Sequence, residues 1–158
     1  GVGGVVVVVS GPARVWALAG VRRLFLDTAP VVYHIEGNPA YQPLTDIIFQ
    51  QIQNGRLLAV TSPITLAECL VHPYRRGDLA LIQKFRNTIT KGAHTQYIGV
   101  DSSAERAAEL RAIYNLTLTD ALQIAAAIAA GCDAFLSNDV MLKRVTELPI
   151  LILDNLEV

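Results

Sequence analysis

Apolar residues in this chain fall in short runs, separated by stretches where apolar and polar positions recur at helical spacing. From Val21 onward the runs predict five strands, at Arg22–Leu26, Leu57–Val60, Tyr97–Val100, Ala134–Leu136 and Ile150–Leu153. Each run is short enough for a strand buried on both faces. Strands alternating regularly with helices must be joined by crossovers that pack back onto the sheet. The expected fold class is therefore α/β, a doubly wound parallel sheet with helices on both faces.

Helix boundaries carry their own signals. Ser62-Pro63 supplies an N-cap followed by proline at the first helical position, opening a short helix over Ile64–Leu70 that His72-Pro73 should close. Ser102 and Glu105 have capping-box spacing before a helix from Ala104 to Tyr114, ending near Asn115. Asp120 opens an alanine-rich helix that runs to about Ala130 and stops at Gly131.

Composition narrows the picture. A chain of 158 residues with 52% hydrophobic and 17% charged residues fits one folded core. The formal net charge of −1 lacks the basic excess that binds nucleic acid by phosphate neutralisation alone, so any such contact must be local. Local basic spots exist at Arg22-Arg23, Arg75-Arg76, Lys84 with Arg86, and Lys143-Arg144; surface dipeptides of this kind are ordinarily just solvated. Cys69 and Cys132 have no CxxC spacing, which reads as a buried pair of free thiols in a reducing compartment, the cytoplasm. No apolar run reaches a membrane span. Residues 1–20 are rich in Gly and Val and stand apart as an unassigned extension, a mis-assigned start or a tag, which leaves residues 21–158 as the domain.

In open α/β sheets ligands bind outside the carboxyl ends of the strands, so an acid directly after an apolar strand carries weight. Asp27 follows Leu24-Phe25-Leu26, and Asp139 follows Ala134-Phe135-Leu136 after the turn Ser137-Asn138. Asp120 lies at a helix start, where capping alone would explain it. Glu68 sits among Leu66, Ala67, Cys69 and Leu70, and an acid in such company needs a partner.

Taken in order, LFLDT, SPITLAECL, LTLTDALQIAAA and AFLSND resemble the four acidic motifs of PIN-domain nucleases, in particular the VapC-type toxin ribonucleases. The resemblance covers Arg22 to about Leu156 and makes Asp27, Glu68, Asp120 and Asp139 the catalytic, metal-binding acids. Thr28, Thr119, Ser137 and Asn138 then fall at positions that support the carboxylates or contact the substrate. It also implies a five-stranded sheet in the order 3-2-1-4-5, which sets the strands ending in Asp27 and Asp139 side by side. Four acids packed together raise one another's pKa unless a cation is bound, and all-oxygen ligation favours Mg²⁺ or Mn²⁺. The implied activity is metal-dependent endoribonuclease cleavage of RNA, leaving a 5′-phosphate and a 3′-hydroxyl. The implied partners are a cognate antitoxin and a second copy of the chain, with no membrane. Two other readings stand beside it: a catalytically inactive PIN-like module that binds RNA or protein, and a PIN nuclease of RNA processing.

Several residues could mislead. Glu68 and His72 are four apart, but Pro73 should end their helix and no HExxH is present. Asp133 precedes its strand and belongs at the opposite edge of the sheet, and Asp154 follows the last strand. Glu36, Asp46, His34 and His94 are expected at the surface or in loops. A haloacid-dehalogenase-like phosphatase would need DxD where this chain has Asp27-Thr28-Ala29.

Overall fold

The computed structural model describes Val8–Val9 and Leu18–Glu157. Its main sheet has five parallel strands: β1 (Arg23–Leu26), β2 (Leu58–Thr61), β3 (Thr95–Tyr97), β4 (Ala134–Ser137) and β5 (Ile150–Ile152). Their order is 3-2-1-4-5. Val8–Val9 pairs antiparallel with Leu156–Glu157 in a separate two-stranded ribbon. The helices are α1 (Thr28–Glu36), α2 (Gln42–Gln53), α3 (Pro63–Arg76), α4 (Leu79–Lys91), α5 (Ala104–Tyr114) and α6 (Leu118–Ala129).

Strand side chains alternate between faces, and that alternation divides the core in two. Leu24, Leu26, Ala59, Ala134 and Leu136 pack with Val31 of α1, Ile48 of α2, Cys69 of α3 and Phe85 of α4. Phe25, Val60 and Phe135 face the other way, against Ala107 and Leu110 of α5 and Ala121 and Ile124 of α6. At the centre of the second layer the rings of Phe25 and Phe135 stack with centroids 5.0 Å apart. Both faces are thus covered, as a parallel sheet requires.

Three expected boundaries differ. The helix opening at Ser62 does not close at Pro73 but runs to Arg76 and ends at Gly77 in the left-handed region. Its buried positions are Thr65, Cys69 and Pro73, so Pro73 lies on the inward face, and burial of its ring offsets the missing N–H bond. The third strand is Thr95–Tyr97 rather than Tyr97–Val100, in register with Ala59, Val60 and Thr61. This edge strand is held by its ladder, while the more apolar Ile98 and Val100 pack on the second core after the strand has ended. The helix at Ala104 has Ser103 at its N-cap without a side-chain bond, following a 3₁₀ turn at Asp101–Ser103, so the Ser102/Glu105 box is not formed.

Candidate active site

The carboxyl ends of β1, β2 and β4 open beside the starts of α1, α3 and α6, and all four acids from the sequence motifs gather at this edge. Asp27 ends β1 and is the N-cap residue of α1, and its N–H donates to the Leu136 carbonyl at 3.0 Å, extending the ladder toward β4. Ser137 at the end of β4 donates its hydroxyl to Asp27 Oδ2 at 2.8 Å, and Ser137 Oγ itself accepts from the Asp139 N–H at 3.1 Å. One serine thereby fixes the spacing between two of the acids. Thr28 Oγ1 donates to Glu68 Oε1 at 2.7 Å, tying the start of α1 to the second turn of α3. Glu68 is exposed, so its partner is a hydroxyl at the cleft and not a buried cation.

Asp120 is not the cap of α6. Thr117 fills that role, accepting the Asp120 N–H at 3.2 Å, and Asp120 stands at the third position of the helix with its carboxylate also hydrogen-bonded to the Thr117 side chain. Asp139 is exposed at the entrance to a 3₁₀ turn and accepts from the Met141 N–H at 3.0 Å.

The electrostatics join these groups. Burial pushes the Asp27 carboxyl up to about 6, and the Asp120 and Glu68 charges push the same way against the bonds from Ser137 and the Thr28 N–H. Asp120 is also raised, chiefly by burial and then by Asp139 and Glu68, although the helix N-terminus favours an anion. Among the described residues the ion pairs are His34–Asp46, Arg76–Glu36 and Arg106–Glu109, so none of the four acids is matched to a lysine or arginine. Nor do any three His, Cys, Asp or Glu side chains among these residues close into a metal cage. An all-carboxylate edge without basic partners suits a hard cation such as Mg²⁺, which is commonly held by one or two carboxylates and completed by water and phosphate oxygens. The donor set fits such an ion.

The supporting residues divide. Thr28 and Ser137 bond directly to acids. Thr119 is exposed, its hydroxyl 3.4 Å from that of Thr117. Asn138 turns away from the acids: its Nδ2 donates to Tyr41 Oη at 3.1 Å, and its Oδ1 accepts the Asp154 N–H at 3.0 Å. Tyr41 donates to Asp154 Oδ1 at 2.6 Å and stacks on Tyr33 with centroids 4.2 Å apart. Asp154 is therefore part of a clamp on the 137–139 loop. Neither tyrosine stood out in the sequence: Tyr33 reads as an ordinary aromatic of α1, and Tyr41 as a loop residue ahead of α2.

The remaining acids and histidines also find places. Asp133 Oδ2 accepts from the Arg22 and Arg23 N–H groups, both at 2.9 Å, at the amino edge away from the site. Glu36 and Asp46 are exposed but paired, and His34 is not a surface residue: it is half-buried on α1 and stacks on Phe49 at 3.9 Å. Glu68 and His72 do share α3, because the helix passes Pro73, yet no third ligand joins them among the described residues. Both cysteines are free, but only Cys69 is buried, Cys132 being partly exposed. A cavity of about 550 Å³ between α1, α2 and α4, lined by His34, Asp46, Phe49 and Lys84 among others, contains none of the four acids.

An acid after β1, another on α3, a third in the first turn of α6 and a fourth after β4, on a 3-2-1-4-5 sheet, define the class. The PIN domain family model matches residues 24–148, and the chain belongs to that family. Its structural likenesses include chains of VapBC complexes and a VapC toxin. A chain of the Rickettsia felis VapBC2 structure, bound to a DNA fragment from their promoter, matches with a TM-score of 0.64 at 19% identity, covering 81% of this chain and 96% of that one. VapC20 of Mycobacterium tuberculosis, a toxin that cleaves the sarcin–ricin loop, matches with a TM-score of 0.62 at 15% identity, over 80% and 98%. A chain of DNA-bound VapBC from Salmonella typhimurium matches with a TM-score of 0.60 at 16% identity, over 84% and 98%. At these identities the likeness is one of fold. No curated protein matches the chain.

Proposed function

We propose that this chain is a metal-dependent endoribonuclease that hydrolyses RNA phosphodiester bonds, and the toxin of a type II toxin–antitoxin pair. Its PIN family membership supports the nuclease class, and its structural neighbours support the pairing with an antitoxin. The observation that carries the reading is the meeting of four carboxylates from four separate elements at one edge of the sheet, with no lysine or arginine paired to them among the described residues. In this reading residues 21–158 form the nuclease domain; ahead of them Val8–Val9 pairs with Leu156–Glu157 and Leu18 is buried in the first core. The protein works in the cytoplasm, and its two free thiols are in keeping with that compartment; among the described residues no single helix is long and apolar enough to cross a membrane.

Asp27, Glu68, Asp120 and Asp139 would hold Mg²⁺ or Mn²⁺. When bound, the ion supplies a more acidic water and neutralises charge on the phosphate. The chain's own groups prepare for it. Ser137 holds Asp27 Oδ2 and sets its distance from the Asp139 backbone, while Thr28 holds the Glu68 carboxylate against the start of α1. Burial of Asp27 leaves its carboxyl partly protonated near pH 6, so the proton must leave Oδ1 or Oδ2 before a cation can be held. Thr119 lies beside Asp120, and Asn138 acts through its clamp with Tyr41 and Asp154, which holds the 137–139 loop. The products would carry a 5′-phosphate and a 3′-hydroxyl, and a second copy of the chain and a cognate antitoxin would complete the assembly.

The test is incubation of the purified protein with a mixed RNA pool in Mg²⁺, in Mn²⁺ and in chelator, with Asp27→Asn as control. Metal-dependent cutting that disappears in the variant supports the reading. Retention of RNA without cutting in any metal makes the chain a binding module instead.

A further inference from the structure

The structure contains a buried polar relay that the acids themselves do not explain. Ser62, Thr65 and Gln123 are all at most 1% exposed, and they lie where the first core, the second core and the carboxyl end of the sheet meet. Ser62 Oγ donates to Gln123 Oε1. Gln123 Nε2 donates to Thr65 Oγ1 at 2.8 Å, and Thr65 Oγ1 donates to the Leu26 carbonyl at 3.1 Å. Ser62 also caps α3, its Oγ accepting from the Ile64 N–H at 3.1 Å.

The direction of these bonds is fixed. The Leu26 carbonyl can only accept, so the Thr65 proton goes there and Thr65 Oγ1 must receive from an N–H. Gln123 therefore has to aim its amide nitrogen at Thr65 and its oxygen at Ser62, whose own proton is free because its oxygen serves the helix end. A carboxylate at position 123 could not donate and would draw the Thr65 proton away from β1. Only a neutral amide satisfies the relay as it stands.

Apart from Ser62, which caps α3, the groups of the relay lie close in sequence to an acid. Leu26 precedes Asp27; Thr65 is three residues before Glu68 on α3; Gln123 is three residues after Asp120 on α6. Residues three apart on a helix share a face, so Thr65 and Glu68, and likewise Asp120 and Gln123, stand one turn apart on the same side. The two helices belong to opposite layers: α3 packs on α4 and α1, and α6 packs on α5. The relay is a direct hydrogen-bonded link between them, and it is anchored to the central strand.

We propose that Ser62, Thr65 and Gln123 are positioning residues that set the spacing of Asp27, Glu68 and Asp120 for a divalent cation, an inference that rests on the reading of those acids as cation ligands. A buried relay in the low-dielectric interior holds its members firmly when every group is satisfied, and loses that hold when one is removed. Partners one layer behind metal ligands characteristically change metal affinity by about 10- to 100-fold when removed.

The test is Mn²⁺ affinity of the full chain, measured by electron paramagnetic resonance of the free ion, with circular dichroism confirming that each variant is folded at the assay temperature. Thr65→Val keeps the side-chain shape but removes the hydroxyl, Gln123→Leu removes both amide bonds, and Thr65→Ser retains the hydroxyl. Thr65→Val and Gln123→Leu should each weaken Mn²⁺ binding by about tenfold or more, and the double variant should be little worse than either, because both break one chain of bonds. Thr65→Ser should stay close to wild type. The Thr65 pair decides the matter alone if Gln123→Leu does not fold. Wild-type affinity in folded Thr65→Val, or an equal loss in Thr65→Ser, overturns the positioning role while leaving the site reading intact. Failure of the wild type itself to bind Mn²⁺ overturns the site reading, and this inference with it.

Discussion

Asp27→Asn should stabilise the metal-free protein, and by an amount that depends on pH. In the folded chain burial pushes the Asp27 carboxyl from 3.8 to about 6. A rise of that size corresponds to about 3 kcal/mol of difference between the two protonation states. The folded state binds this proton more tightly than the unfolded state, so stability is undiminished below the unfolded value. It falls as pH rises from 3.8 to about 6, and above that range the full penalty applies. Asparagine has no proton to lose, and its Oδ1 can still accept from Ser137. In chelator at pH 7.5 the variant should therefore exceed wild type by up to about 3 kcal/mol, which for a domain of this size is roughly 6 to 12 °C in Tm. At pH 4 the advantage should shrink below about 1 kcal/mol. Thermal unfolding followed by circular dichroism across this range reads the difference directly. Mn²⁺ at pH 7.5 should narrow the gap, because it stabilises only the protein that retains the ligand. A difference that does not change with pH, or a variant less stable than wild type at pH 7.5 in chelator, would refute the claim that Asp27 is held at an electrostatic cost.

Other expectations are simpler. Phe135→Ala removes a fully buried ring stacked on Phe25 and should lower stability in urea titration by about 3 to 5 kcal/mol. Thr117→Ala removes the cap of α6 that receives the Asp120 N–H; it should cost about 1 kcal/mol and reduce the rate of RNA cleavage, and an unchanged rate would detach the cap from the chemistry. Burial raises the thiols of Cys69 and Cys132, the latter to about 11, so both should react with a thiol reagent at pH 8 far more slowly than free cysteine. Both should become fully reactive in denaturant.

Asp27 and Asp139 stood out in the sequence because they follow strand ends, each marked locally by an apolar run meeting polar residues, whereas Glu68 and Asp120 joined them only through the motif resemblance. The strand order was reached through the motif resemblance and is the order observed. The expected end of α3 at Pro73 failed because local rules weigh a missing N–H and cannot weigh a buried proline ring. The third strand was placed too late because apolar content marks burial, whereas an edge strand is held by backbone pairing. Gln123 gave no local sign at all. A glutamine in an alanine-rich helix reads as a surface residue until a partner 58 positions earlier in the chain is brought against it. The Asn138–Tyr41–Asp154 clamp was hidden for the same reason, its members being separated by 97 and 16 positions.

The place of β1 in the sheet bears on how the protein is made. Its neighbour on one side, β2, follows within one crossover, but on the other side lies β4, and Asp27 meets Ser137 across 110 positions of sequence. During synthesis the first acid leaves the ribosome long before the loop that orients it. A nascent chain can lay down β1, β2 and their helices while the slot for β4 is still open and the site incomplete. The acids therefore come together late, when residues 137–139 emerge and close the central strand pair. For most of the time it takes to build the chain, the four acids have not yet been brought together.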